Sequence, residues 1–243
     1  MNPAFNLASP ETGTEYRIYA EAPGATSPGP WPVVLFLDAD DQFPIGVAAY
    51  RKQLAAGRVP PLLLVGVGYG ASYAKPANKR GRDYTPVAHP DEPASGGAAP
   101  FRNFLTGTLW AELRHRYPVR RDARGIAGHS LSSLLVLDAL FQPQPFFTHY
   151  LASAPSIWWA NQAMLEEAAL LRRRQAVLAA RLFLCVGEDD TASMTGDLAQ
   201  LERQLAAEPF TGLEITSRRF SNRNHYNVLP DAFGAGLVDL FGV

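Results

Sequence analysis

The sequence predicts an α/β fold, a mostly parallel sheet with helices on both faces, from three observations. Short apolar runs alternate with stretches of helical spacing from Trp31 onward. The runs are apolar nearly throughout, as strands covered on both faces must be. A chain of 243 residues with 47% hydrophobic and 19% charged residues can also bury a core without disulfide or metal staples.

Each element follows in order. Residues 15–21 (EYRIYAE) alternate and lead into the Gly/Pro-rich stretch 23–32, which predicts an antiparallel strand at one edge. Residues 31–38 (WPVVLFLD) and 61–69 (PLLLVGVGY) predict buried strands on either side of a helix over 45–56. Residues 70–100 carry many Gly, Pro and Ala without clear periodicity. They predict a long loop leaving the C-terminal end of a strand, where binding crevices lie. A helix over 101–117, a strand over 125–129 and a helix over 131–141 come next. Strands over 149–154 and 181–187 then alternate with helices over 160–180 and 196–207. Residues 213–220 (LEITSRRF) are more amphipathic, as an edge strand is, and a helix over 230–241 closes the chain. There is no internal repeat, so one domain over 1–243 with a 70–100 insertion is expected.

Composition narrows the function. Lys+Arg 22 against Asp+Glu 23 leaves a formal charge of -1, which argues against nucleic acid or an anionic membrane and for a small-molecule partner. No membrane span or targeting segment is read from the chain, and with Cys185 as its one thiol the cytoplasm is the expected compartment. Metal-ligand spacings such as H-E-x-x-H are absent, and Gly66 to Ala71 imitates a dinucleotide fingerprint without the helix or acid it needs. No metal and no cofactor are expected.

The sharpest local feature is Gly128-His129-Ser130-Leu131-Ser132, where an apolar strand meets an apolar helix. A serine on so tight a turn is held above the sheet with its hydroxyl exposed, the posture of a nucleophile. The bland alternative is a serine that caps the helix. Serine stands at 132 where the usual motif has glycine. The hydroxyl needs a base, and the chain has five histidines. His129 adjoins the serine with its side chain expected to be directed elsewhere, whereas His225 follows the last strand, where a doubly wound hydrolase delivers its base. The third member, a carboxylate after strand 181–187, is Glu188, Asp189 or Asp190.

Several segments together resemble one family, the esterase D-like α/β-hydrolases and within them the enterochelin and salmochelin esterase branch. They are Leu37-Asp38-Ala39-Asp40 with Phe43, Arg82-Asp83-Tyr84-Thr85-Pro86 before Gly96-Gly97-Ala98, Ser153 to Trp159, and the acid and histidine segments. The resemblance implies a cofactor-free serine esterase acting through an acyl-enzyme, with a siderophore-type ester as substrate. It places the acid three residues after Gly187, at Asp190, with Glu188 as the alternative. It also implies an oxyanion hole made by the N–H of Leu131 with that of Ala39 or Asp40, although Ala39 stands where the family prefers glycine. Arg80 and Arg82 are either recognition groups for an anionic substrate or solvated charges. Trp158 and Trp159 wall an acyl pocket or belong to the core. The competing functions are a general short-chain carboxylesterase or thioesterase, and a binding protein that keeps the hydrolase fold with a crippled site.

Overall fold

The computed structural model describes residues 4–24 and 27–243. Ala4–Ser9 (β1) and Thr14–Glu21 (β2) form an antiparallel hairpin, turned at Gly13, whose φ of 64° suits glycine. β2 pairs antiparallel with Leu63–Gly68 (β4), which lies beside Trp31–Phe36 (β3). From there Val119–His129 (β5), His149–Ser153 (β6), Val177–Gly187 (β7) and Thr211–Phe220 (β8) add in parallel. The strand order is β1-β2-β4-β3-β5-β6-β7-β8. Because β4 through β8 run parallel, their C-terminal ends share one rim, and every group considered for chemistry lies on or beside it.

Side chains divide between the faces with the period of two that a strand imposes. On β3, Val34 and Phe36 meet the helices Ala39–Ala55 (α1) and Leu229–Phe241 (α8), with Phe36 edge-on to Phe233 at 5.2 Å. Val33 and Leu35 face the larger core on the other side. That side is covered by Arg80–Asp83 (α2), Ala98–Phe104 (α3), Trp110–Arg116 (α4), Leu131–Leu140 (α5), Trp159–Arg174 (α6) and Ala192–Ala207 (α7).

Several elements differ from the sequence reading. β1 takes the edge expected of residues 15–21; AFNLAS is half-buried and pairs with one neighbour only, so it carries little periodic signal. α1 starts at Ala39 rather than 45 and carries Pro44 inside it, at its sixth position, where the ring leaves the Asp40 carbonyl without its usual i+4 donor. The helix read over 101–117 is interrupted by a π-helical turn, Leu105–Leu109, and the 70–100 stretch contains α2 and the start of α3. α6 ends at Arg174 rather than 180, and residues 177–180 instead alternate exposed and buried as the start of β7. Among the described residues no helix is long and apolar enough to cross a membrane.

Candidate active site

β5 ends at His129 and α5 starts at Leu131, so the chain turns within one residue. Ser130 is held at φ 62° and ψ −123°, a strained conformation that a side chain adopts only when its surroundings enforce it. A Cβ on Gly128 would lie 2.7 Å from the Ser132 carbonyl group, which is why glycine occupies that position. Serine at 132 is accommodated by hydrogen bonding. Its hydroxyl accepts the His129 N–H and donates to the His129 carbonyl, each at 2.9 Å. Ser133 Oγ then lies 2.7 Å from both the Gly128 and Ser153 carbonyls, clipping the turn to β6.

The acid and histidine segments meet across the ends of β7 and β8. Asp190 Oδ2 accepts a hydrogen bond from His225 Nδ1 at 2.9 Å, and the carboxylate is 1% exposed. A carboxylate only accepts, so the proton sits on Nδ1 and Nε2 is left free to take another. Glu188 and Asp189 are exposed, with their backbone N–H groups spent on the Phe220 and Arg223 carbonyls at 3.0 and 2.9 Å. The histidine loop is stiffened by Asn224 and Asn227, each of whose side chains accepts the other's backbone N–H, at 2.7 and 3.1 Å. Gly187 lets the two loops touch: a Cβ there would lie 2.1 Å from the Arg223 carbonyl oxygen.

His129 is where the sequence reading fell short. Its ring lies against His225, with centroids 4.6 Å apart, and its Nδ1 is 3.0 Å from Ser153 Oγ. Burial, with the nearby His225 and Arg80 acting in the same sense, pushes its pKa down to about 3. The other three histidines lie elsewhere, with His89 against Trp159 and His149 against Phe241.

The turn from β3 into α1 reaches the same rim, since Phe36 is in register with Ala127 and the Leu37 N–H donates to the Ala127 carbonyl. The N–H groups of Leu131, Ala39 and Asp40 have no intramolecular partner among the described residues, so the first turns of α5 and α1 both present donors there. The Ala39 methyl packs over Gly66, while the Asp40 carboxylate accepts the Tyr69 N–H at 2.6 Å and the Tyr19 hydroxyl at 2.7 Å.

Asp38, at the start of this turn, is buried in the left-handed region with φ 51°. Arg80 grips it with two bonds, Nε to Oδ1 at 2.9 Å and Nη2 to Oδ2 at 3.0 Å. Burial pushes the Asp38 carboxyl up, with Arg80 pulling against it. For Arg80 burial works against the charge, but the Asp38 carboxylate more than offsets it and holds the guanidinium above its ordinary value. Tyr73 lies under the Arg80 guanidinium at 4.7 Å and is itself fixed by Asp41 and Gln42. Arg82 turns the other way, bonding Asp83 at 2.7 Å and Thr14 at 2.8 Å, and so ties the loop to β2. The two tryptophans also part: Trp159 is buried with its indole N–H on the Val87 carbonyl at 2.8 Å, and Trp158 is 47% exposed.

The structure thus brings Ser130, Leu131, Ala39, Asp40, Asp190, His225 and Arg80 to one rim. A hollow of about 730 Å³ between α1 and α8 contains neither Ser130 nor His225. Among the described residues no three His, Cys, Asp or Glu side chains gather as a metal site.

A family model described as "Putative esterase" matches residues 9–226. The chain belongs to this esterase family. It is 30% identical to the ferri-bacillibactin esterase of Bacillus subtilis, over 92% of this chain and 84% of that one. To the apo-salmochelin esterase of Escherichia coli it is 25% identical, over 98% of this chain and 79% of the other. Among solved structures, the BES protein from Bacillus cereus superposes with a TM-score of 0.88 at 26% identity, covering 100% of this chain and 95% of that one. The resemblance read from the motifs is therefore borne out, as is the α/β-hydrolase fold. The chain is thus a carboxylic ester hydrolase.

Proposed function

We propose that this esterase hydrolyses siderophore-type esters through an acyl-enzyme, with Ser130 as nucleophile, His225 as base and Asp190 as the acid that orients it. The observation that carries the assignment is the Asp190–His225 hydrogen bond at 2.9 Å, on the rim that also holds the strained Ser130 turn. Ser130 Oγ attacks the ester carbonyl while His225 Nε2 takes its proton. The oxyanion is received by the Leu131 N–H and that of Ala39 or Asp40. His225 then gives the proton to the departing alkoxide, and water, activated by the same nitrogen, releases the acid and restores Ser130. Asp190 keeps the imidazole in the right tautomer throughout.

The substrate class rests on the relatives, which are named for bacillibactin and salmochelin, and on Arg80. Arg80 spends Nε and Nη2 on Asp38 and retains Nη1 for an oxygen-rich ester, and the exposed ring of Trp158 suits an aromatic acyl group. The cytoplasm is the compartment that fits the free thiol of Cys185. A general short-chain carboxylesterase is the second reading.

The test pairs two substrates, p-nitrophenyl acetate and a catecholate trilactone, with labelling by a fluorophosphonate. Wild type should hydrolyse both and label at Ser130; Ser130→Ala should lose labelling and nearly all turnover. Arg80→Lys, which keeps a cation on the buried Asp38 carboxylate but removes the spare guanidinium donor, should raise KM for the trilactone roughly tenfold, the worth of one hydrogen bond to a charged group, and change p-nitrophenyl acetate little. Turnover above about a tenth of wild type in Ser130→Ala would overturn the nucleophile assignment. Equal effects of Arg80→Lys on both substrates would favour the general carboxylesterase.

A further inference from the structure

The geometry points to His129 as a positioning residue for His225: its ring is the floor on which the catalytic base rests, and Ser153 locks that floor in place. The inference rests on the triad reading given above. Four observations carry it. The two rings lie 4.6 Å apart at 46°, at the near end of the range over which paired rings interact. His129 Nδ1 is 3.0 Å from Ser153 Oγ, and Ser153 is wholly buried in register with both His129 and Cys185, so the lock sits on rigid strands rather than a loop. His129 is itself almost wholly buried, so the surrounding core holds its ring in place. Finally, His225 itself stands on a loop, between the Asp190 carboxylate and the exposed Tyr226 ring at 5.6 Å, so Asp190 alone fixes one edge of the imidazole and leaves its face unsupported.

A floor of this kind must not take the proton meant for the base. The groups that face His129 are Ser153 on β6, His225 on the β8–α8 loop and, at longer range, the Arg80 cation of α2. None of them is an anion that would favour a protonated ring, and burial keeps it neutral. His129 therefore offers His225 a polarizable face without competing in the proton transfer. The serine turn provides this arrangement directly: the residue that precedes Ser130 on β5 projects to the side from which the histidine loop arrives.

The test uses four variants of the full chain: His129→Leu, His129→Phe, Ser153→Ala and Ser130→Ala. kcat and KM are measured on p-nitrophenyl acetate, with the rate of fluorophosphonate labelling and the melting temperature. His129→Leu should lower kcat and the labelling rate roughly tenfold or more with KM nearly unchanged, because a displaced base slows attack without weakening binding. His129→Phe, which restores the ring face, should recover at least about threefold of that loss at a melting temperature within a few degrees of the Leu variant. Ser153→Ala should show a smaller loss in the same direction. Wild-type kcat in both His129 variants, while Ser130→Ala is inactive, would overturn the positioning role and leave the triad standing. Equal losses in the Leu and Phe variants that follow melting temperature would make His129 a packing residue, and that too overturns it. Retained turnover and labelling in Ser130→Ala would instead sink the triad reading and this inference with it.

Discussion

Gly187→Ala changes one hydrogen atom to a methyl at the end of β7, 2.1 Å from where the Arg223 carbonyl oxygen now lies. Ordinary contact at a Cβ begins near 3.4 Å, so the two groups must part by about 1.3 Å. Neither side yields cheaply. The Arg223 oxygen is hydrogen-bonded to the Asp189 N–H at 2.9 Å, and Arg223 is pinned to Asp231 at 2.5 Å. Relief must therefore move the acid loop, the histidine loop, or both, and the Asp190–His225 bond spans them. Displacement of about 1 Å in a catalytic group costs on the order of 100-fold in rate, whereas overpacking of this kind costs about 1–3 kcal/mol of stability. The variant should thus remain folded at 25 °C, melt ~2–12 °C lower, and lose about two orders of magnitude in kcat and labelling rate. Gly196→Ala, on an exposed turn of α7 with nothing within 4 Å of the new methyl, is the matched control and should be neutral to slightly stabilising. Refutation is simple: kcat within about threefold of wild type in Gly187→Ala would show that the loop contact does not set the position of His225.

Two further outcomes are expected. Asp190→Asn should lower kcat by on the order of 10³-fold or more through the wrong imidazole tautomer, and exposed Glu188→Gln should stay within about twofold, both read on p-nitrophenyl acetate; a damaging Glu188→Gln beside a mild Asp190→Asn would reverse the assignment. Acid should destabilise the fold through His129: the unfolded state takes its proton near pH 6.5 and the folded state only near pH 3, so stability is full above about pH 6.5 and falls as pH drops toward 3. The whole shift amounts to roughly 5 kcal/mol, and urea midpoints between pH 7 and 4 should therefore fall less steeply in His129→Phe than in wild type. His149, lowered to about 4 by burial, adds to the slope in both proteins, and Asp138, raised to about 6 by burial, opposes it in both. Parallel midpoint curves would refute the account.

The sequence by itself determined the alternation of strands and helices, because burial on both faces of a parallel sheet writes continuous apolar runs that chain order then strings together. It also determined which residues arrive at the rim: Ser130, the acids at 188–190 and His225 all follow strands, and strand ends are local features. β1 escaped notice because half-buried AFNLAS has a partner on one side only, and the start of β7 was hidden because its exposed positions continue a helix-like pattern out of α6. Only the tertiary structure showed which of Glu188, Asp189 and Asp190 meets His225, since adjacent residues on one loop differ in direction and not in chemistry: Asp190 bonds the imidazole while Glu188 and Asp189 are exposed. Likewise Arg80 and Arg82, two residues apart in sequence, are sent to Asp38 and to Asp83 by the helical turn of α2 between them. His129 shows the limit most plainly: its neighbour in sequence is Ser130, but its neighbour in space is His225, and that ring-to-ring contact is written in no local pattern.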